Sequence, residues 1–374
     1  VVVAALALAV GGAGLLYAGA GGRAPAVQAA APVATSTTTT TPATTTTTAP
    51  PLRRATIAFG GDVLIHSNVS TAAQTPEGHD FSPMLAPIAR RITGADLAIC
   101  HLEVTLNRAS EPLSGYPRFR APRELAADLA EAGFDGCSVA SNHALDFGES
   151  GVVATLDALD DAGLAHVGTA RSPEGRVPAL YEANGIQVAQ LSYAYGFNGF
   201  TRPAGKEWLV DQIDPTLILA DARAARAAGA ELVVVSLHWG NEYVHDVVAA
   251  QQAVADALAS ESGVVDLVVG HHAHVVQPIS KVGSMWVVWG MGNLLSANSP
   301  RCCTTEATDG VVVTVTVGDR APGGPVGVTG VAFTPTWNER STYRVLPVAE
   351  TLAAGTDAAH TTDLEASLYR TTAH

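Results

Sequence analysis

An α/β domain with a largely parallel central sheet is predicted for this chain of 374 residues, on three observations. Short β-rich runs recur from Ala55 onward, each ends in a cluster of polar residues, and amphipathic helices follow several of them. That alternation indicates strand–helix layering with parallel strands in the middle. Strands are expected at 56–59, 97–101, 136–140, 186–192, 232–236, 264–269 and 286–289. The helices have readable ends. One spans 122–132, opens on Pro122 and stops at Gly133; the next carries Val152, Leu156 and Leu159 on one face and stops at Gly163. A third has Asp214 as N-cap and Pro215 in its first turn and runs to Gly229, and a fourth covers 249–260. Late in the chain, 310–317 and 327–334 form β-runs without an intervening helix, expected as an antiparallel pair in a second sheet.

The first 22 residues contain no charge. They are long enough to cross a bilayer as a helix, and the small residues Ala18 and Ala20 resemble a signal-peptidase site. Residues 1–22 are therefore expected to be a signal peptide or a membrane anchor, and either places the rest in an extracytoplasmic location. Residues 23–51 turn abruptly to Ala, Pro and Thr, with Thr at eleven of the fourteen positions 35–48. No apolar period survives there to offset the entropy of ordering a backbone, so a disordered stalk, open to O-glycosylation, is expected. The folded domain is placed at 52–348 and a loose, Ala/Thr-rich tail at 349–374.

Composition removes several classes. Apolar residues make up 47% of the chain, yet the only long uncharged apolar run is the first one, which excludes a polytopic membrane protein. Lys and Arg number 21 against 35 Asp and Glu, for a formal charge of −14, and only Lys206 and Lys281 are lysines. A nucleic-acid partner is not expected, because a phosphate-backbone reader needs a basic stripe. Among the four cysteines, Cys100 and Cys137 lie in strand-like runs and are expected as buried thiols; the oxidation state of the adjacent Cys302 and Cys303 is open.

In open α/β sheets the chemistry sits beyond the carboxyl ends of the strands. Six such ends carry metal-type ligands here. They are Gly60-Gly61-Asp62 with His66, His101-Leu102-Glu103, Ser141-Asn142-His143 with Asp146, His238-Trp239-Gly240-Asn241-Glu242, Gly270-His271-His272-Ala273-His274, and Gly290-Met291-Gly292-Asn293. One Asp or His after a strand is usually a turn or a cap. Three imidazoles within four residues behind a buried-type run serve little packing purpose. Carboxylates, Asn and His at successive strand ends make a set suited to a pair of divalent ions such as Mn, Fe or Zn. No phosphate-binding P-loop motif, dinucleotide glycine spacing or G-x-S-x-G elbow is present.

These motifs, in this order between Ala55 and Ser296, resemble the CapA (poly-γ-glutamate capsule biosynthesis) family, which is similar to the calcineurin-like metallophosphoesterases. The resemblance implies a four-layer α/β/β/α sandwich, metallophosphatase-like, with a dinuclear-type site. By analogy, Asp62 binds the first metal, Glu103 takes the bridging carboxylate's place, and Asn142 and His238 ligate the second metal. His272 and His274 complete the set, His271 is a ligand or stands behind one, and His143 is the acid or electrostatic helper. Two departures stand out: Leu64 occupies the place of the first-motif histidine, leaving His66 as a candidate substitute, and the bridging position is Glu rather than Asp. Arg118 and Arg120 are candidate holders of an anionic substrate, with Glu242 and Asn293 as further substrate-side positions. The implied activity is that of a metal-dependent hydrolase in capsule or cell-envelope polymer biosynthesis, on an anionic polymer or a phosphorylated small molecule. The alternative is a non-catalytic envelope subunit that guides the polymer or supports a membrane synthase.

Overall fold

Burial with a period of two sets the layering. The computed structural model describes residues 51–373. The Arg54–Leu64 strand sends Ala55, Ile57 and Phe59 to one face and Ala58 and Val63 to the other. The Asp309–Asp319 strand divides likewise, with Val311, Val313, Val315 and Val317 opposite Val312. Strands apolar on both faces need cover on both. On one face Val188, Val234, Leu267, Val269 and Val288 of a second sheet fill the shared core. On the other, Leu125, Leu129, Val152, Leu156 and Leu159 arrive from the Glu124–Glu131 and Gly148–Asp161 helices. The outer face of the second sheet is covered by Ile218 and Ala222 of the Pro215–Ala227 helix and Leu258 of the Ala249–Ala259 helix. The fold is therefore an α/β/β/α sandwich, as expected.

The first sheet has eight strands. Arg54–Leu64 pairs in parallel with Leu97–Leu102 and with Asn293–Ser296, and Leu97–Leu102 continues in parallel to Gly136–Ser138 and Ala165–Val167. The second sheet has six, with Met285–Val288, Leu267–His271, Leu232–His238 and Ile186–Ala194 parallel at its centre. Asp214 caps its helix as expected, accepting from the Thr216 amide at 2.9 Å.

Three expectations are corrected. The Asp309–Asp319 and Val326–Asn338 pair does not belong to a second sheet: Val313 pairs with Phe59, so it extends the first. The tail is not loose. The Val348–Ala354 and Thr361–Thr372 helices pack Val348 and Leu364 onto Trp337 and Leu346, and Arg370 pairs with Asp309 at 2.6 Å. Cys100 and Cys137 are register partners on neighbouring strands and form a disulfide, as do Cys302 and Cys303. Residues 1–50, which include the apolar segment and nearly all of the stalk, lie outside the described residues. Among those described, no helix is long and apolar enough to cross a membrane.

The turn after Val326–Asn338 is tied down by Glu339. Burial opposes its ionisation, but hydrogen bonds from the amides and hydroxyls of Ser341 and Thr342 outweigh this and bring its pKa down to about 2. A carboxyl depressed on folding contributes stability above its unfolded value of 4.5, and that contribution disappears as the pH falls toward 2. Glu339→Gln should therefore cost up to roughly 3 kcal/mol at pH 7. Denaturant titrations should show the gap between the two proteins closing below about pH 3; a pH-independent gap would refute the assignment.

Candidate metal centre

Parallel strands from both sheets end at a common edge, and the sequence loads that edge with ligands. Asp62 lies near the end of Arg54–Leu64, and Glu103 follows Leu97–Leu102 by one residue. His238 and His271 are the last residues of their strands and sit in register. Beyond His271 the chain winds tightly, with His272 and His274 at φ of 85° and 55°. Gly270 permits the approach, since a side chain there would run into the Trp289 carbonyl.

Two ligand groupings share Glu103. Donor atoms of Asp62, Glu103 and His274 lie within 4.8 Å of one another, and so do those of Glu103, His238 and His272. Asp62 meets Nδ1 of His271 and Nδ1 of His274, each at 3.1 Å. Burial would raise its pKa, but these two contacts outweigh burial and hold the carboxyl well below the usual range. Glu103 is the contrast. Its Oε1 lies 3.7 Å from His238 Nε2 and 3.6 Å from His274 Nε2, and both oxygens are buried with no hydrogen-bond partner. Burial therefore pushes its pKa well above the ordinary value. A carboxylate stranded in this way calls for a cation.

A chain of hydrogen bonds points the same way. Ser138 Oγ meets His101 Nδ1 at 2.8 Å, His101 Nε2 meets His238 Nδ1 at 2.9 Å, and His238 Nε2 faces Asn142 Oδ1 at 2.9 Å. Burial holds both imidazoles well below their usual pKa, so each carries one N–H. Ser138 donates to the Cys100 carbonyl and hence accepts from His101; His101 Nε2 then accepts from His238 Nδ1–H. That leaves a lone pair on His238 Nε2 aimed at an acceptor oxygen. Two acceptors about 3 Å apart have the spacing of adjacent ligands around an ion bonded at about 2.1 Å. The donor set of carboxylate, amide oxygen and imidazole thus fits a divalent ion, and Asp62, Glu103, Asn142, His238, His271, His272 and His274 are the residues that would hold one or more.

A cavity of about 480 Å³ opens onto this centre, lined by His66, Phe119, His143, Glu242, Tyr243 and His274 among others. His143 Nδ1 contacts Asp146 Oδ2 at 2.8 Å, and Asp146 also accepts from the Phe119 amide at 2.6 Å. Glu242 is exposed on the wall and groups with His272 and His274.

Four expected site residues sit elsewhere. His66 lines the cavity, but its Nδ1 meets the Leu64 carbonyl at 3.1 Å and it joins none of the ligand groupings. Arg118 donates from Nε to the Asp146 carbonyl at 2.7 Å, and Arg120 lies 3.6 Å above the Phe147 ring. Neither lines the cavity. They brace the Asp146–Phe147 turn that carries His143. Asn293 is buried behind the centre, with Oδ1 3.1 Å from His274 Nδ1 and Nδ2 donating to the Ala307 carbonyl at 2.8 Å. It orients a histidine and does not reach the substrate side. Conversely, His101 and Asp146 carry the histidine geometry, though neither was assigned a role from sequence.

A four-layer sandwich with this polar set at the common edge of its sheets is metallophosphatase-like in fold. Residues 56–298 match the family described as bacterial capsule synthesis protein PGA_cap, and the chain belongs to that family. It is 29% identical over 179 residues to capsule biosynthesis protein CapA of Bacillus anthracis, covering 47% of this chain and 43% of that one. It is 27% identical over 248 residues to PGA biosynthesis protein CapA of Bacillus subtilis, covering 64% and 62%. The chain thus spans less than two thirds of the length of either relative. Among solved structures, the calcineurin-like phosphoesterase YfkN of Bacillus subtilis aligns with a TM-score of 0.48 at 13% identity, covering 85% of this chain and 99% of that one.

Proposed function

We propose that this chain is an exported, metal-dependent hydrolase acting on an anionic capsule or cell-envelope polymer of the poly-γ-glutamate type. The observation that carries the reading is Glu103, a buried carboxyl with both oxygens lacking a hydrogen-bond partner where His238 and His274 converge. Divalent ions at such a centre supply a more acidic water and an electrophile for the scissile group. The chain's own residues do the rest. Asp62 provides fixed negative charge, Glu103 would ionise against a bound cation, and His101 keeps the Nε2 lone pair of His238 directed at the centre through its hydrogen bond to Nδ1. His143, with Nδ1 donating to Asp146, is left to hold or move a proton at Nε2 on the cavity wall. Tyr243 and Glu242 line the same cavity. Export is supported by the uncharged first segment and by the two cysteine pairs.

One observation favours a second reading. A 26% identical relative from Mycobacterium tuberculosis is described as a probable polyglutamine synthesis accessory protein. In that reading the chain supports a membrane synthase without hydrolysing the polymer. Incubating the metal-loaded protein with poly-γ-glutamate, and separately with a generic phosphate ester, separates the two. Shortening of the polymer that depends on metal supports the hydrolase; ester cleavage alone indicates a phosphoesterase acting on a small molecule. No turnover of either by a fully loaded protein would overturn the enzymatic reading in favour of the accessory role.

A further inference from the structure

A second cavity, of about 500 Å³, abuts the one over the metal centre, and Asn298 lines both. One wall is the loop that follows the Asn293–Ser296 strand; the other is the turn that follows Val326–Asn338. Asn68, Asn298, Ser299 and Ser341 give it amide and hydroxyl groups. Arg301 and Arg340 also line it, and both are exposed. Among the described residues neither makes an ion pair or a side-chain hydrogen bond. Other arginines of this acidic chain are committed: Arg176 is taken by Asp211 and Asp221, Arg226 by Asp266 and Arg370 by Asp309.

The groove also contains acids, and their state matters. Glu339, ionised and tied to Ser341 and Thr342, and Asp363, in the first turn of its helix, are the two carboxylates of the lining, set against the two arginines. His360 is held by Asp357 at 2.7 Å and rests 5.4 Å from the Trp337 ring. Asn298 Nδ2 is buried without a partner, a donor lacking an acceptor where the two cavities meet. Arg301 belongs to the same loop as Cys302 and Cys303, which line the metal-side cavity.

We propose that this groove is a subsite for the non-reacting length of a linear, amide-linked polycarboxylate whose end enters the metal centre past Asn298. Carboxylates along the chain pair with the forked donors of Arg301 and Arg340, and its amides meet the Asn and Ser side chains. The inference deepens the hydrolase reading of the same site and rests on it for what happens at the reacting end. Occupancy of the groove itself needs no turnover.

The test is therefore binding. A fluorescent γ-linked oligoglutamate is titrated by anisotropy into the full chain, alongside Arg301→Ala/Arg340→Ala, Arg301→Lys/Arg340→Lys and Asp62→Ala/His238→Ala. The alanine pair should weaken binding by about tenfold or more while retaining its metal, and the lysine pair should recover much of the loss, because part of the attraction is charge alone. The Asp62→Ala/His238→Ala protein should lose metal and bind the oligomer within about threefold of the wild type, since the groove arginines are intact. Unchanged affinity in the alanine pair, no binding by the wild type, or tighter binding of inorganic polyphosphate than of the oligoglutamate would overturn the proposal. Failure of the hydrolase reading shows separately, as an absence of turnover or of metal in a protein that still binds the oligomer through its arginines.

Discussion

Glu103→Met is expected to make the metal-free protein more stable and to abolish its capacity to hold ions. The wild-type side chain is fully buried and neither carboxylate oxygen has a hydrogen-bond donor. The nearest side-chain nitrogens, Nε2 of His238 and Nε2 of His274, stand beyond hydrogen-bond distance at 3.7 and 3.6 Å. A group in this position carries its desolvation cost without return until a cation arrives. An apolar residue of similar shape removes that cost, with a gain of about 1–3 kcal/mol expected in denaturant unfolding of the chelated proteins. The same substitution removes the residue that joins the Asp62–His274 grouping to the His238–His272 grouping, so bound metal should drop to less than about a tenth of the wild-type amount. A gain in apo stability with a loss of metal is the mark of a residue kept for function. Destabilisation of the chelated protein would instead show that Glu103 has a structural partner.

His143→Ala carries the second large effect, and it separates chemistry from metal retention. The imidazole stands on the cavity wall, held at Nδ1 by Asp146 and edge-on to Phe119 at 4.6 Å. It belongs to none of the ligand groupings. If His143 moves a proton at the leaving group, its loss should lower kcat by about 10²–10⁴-fold while metal content stays near the wild-type value. The KM should move little, because the groups that bind the remainder of the substrate are untouched. Loss of metal in this variant would place His143 among the ligands, and unchanged kcat would remove it from the reaction.

Most of the centre was legible in the sequence for a physical reason. Asp62, Glu103, Asn142, His238 and the 271–274 cluster each follow a β-rich run directly, and parallel strands bring such positions to one edge whatever their separation along the chain. His101 stood in the same strand-end motif as Glu103, and residues two apart on a strand share a face, but its role in orienting His238 shows only in the fold. The arginines were misread because local sequence shows a charged loop and nothing more. Only the tertiary fold shows that the Asp146 carbonyl and the Phe147 ring capture Arg118 and Arg120.

Asn293 failed for a related reason. It was read as a strand end, but it begins the short Asn293–Ser296 strand beside the first strand, in register with Asp62, and so points behind the ligands. The strands that went unrecognised, Ala165–Val167 among them, are two to five residues long, too short for a period of two to declare itself. The final helix was hidden by an Ala/Thr-rich composition. Its core contacts come from Leu364 and Leu368, four residues apart on one face, and the partner that makes them cohere is Trp337.

Hydrolytic chemistry at this sheet edge requires that its polar set hold metal. Elemental analysis of the purified chain, beside an Asp62→Ala/His238→Ala variant, reads this directly. Near-stoichiometric Mn, Fe or Zn in the wild type, lost in a variant that keeps its secondary structure, is the result predicted here. Absence of metal from the wild type even after exposure to Mn, Fe and Zn would contradict the centre and the hydrolytic chemistry built on it.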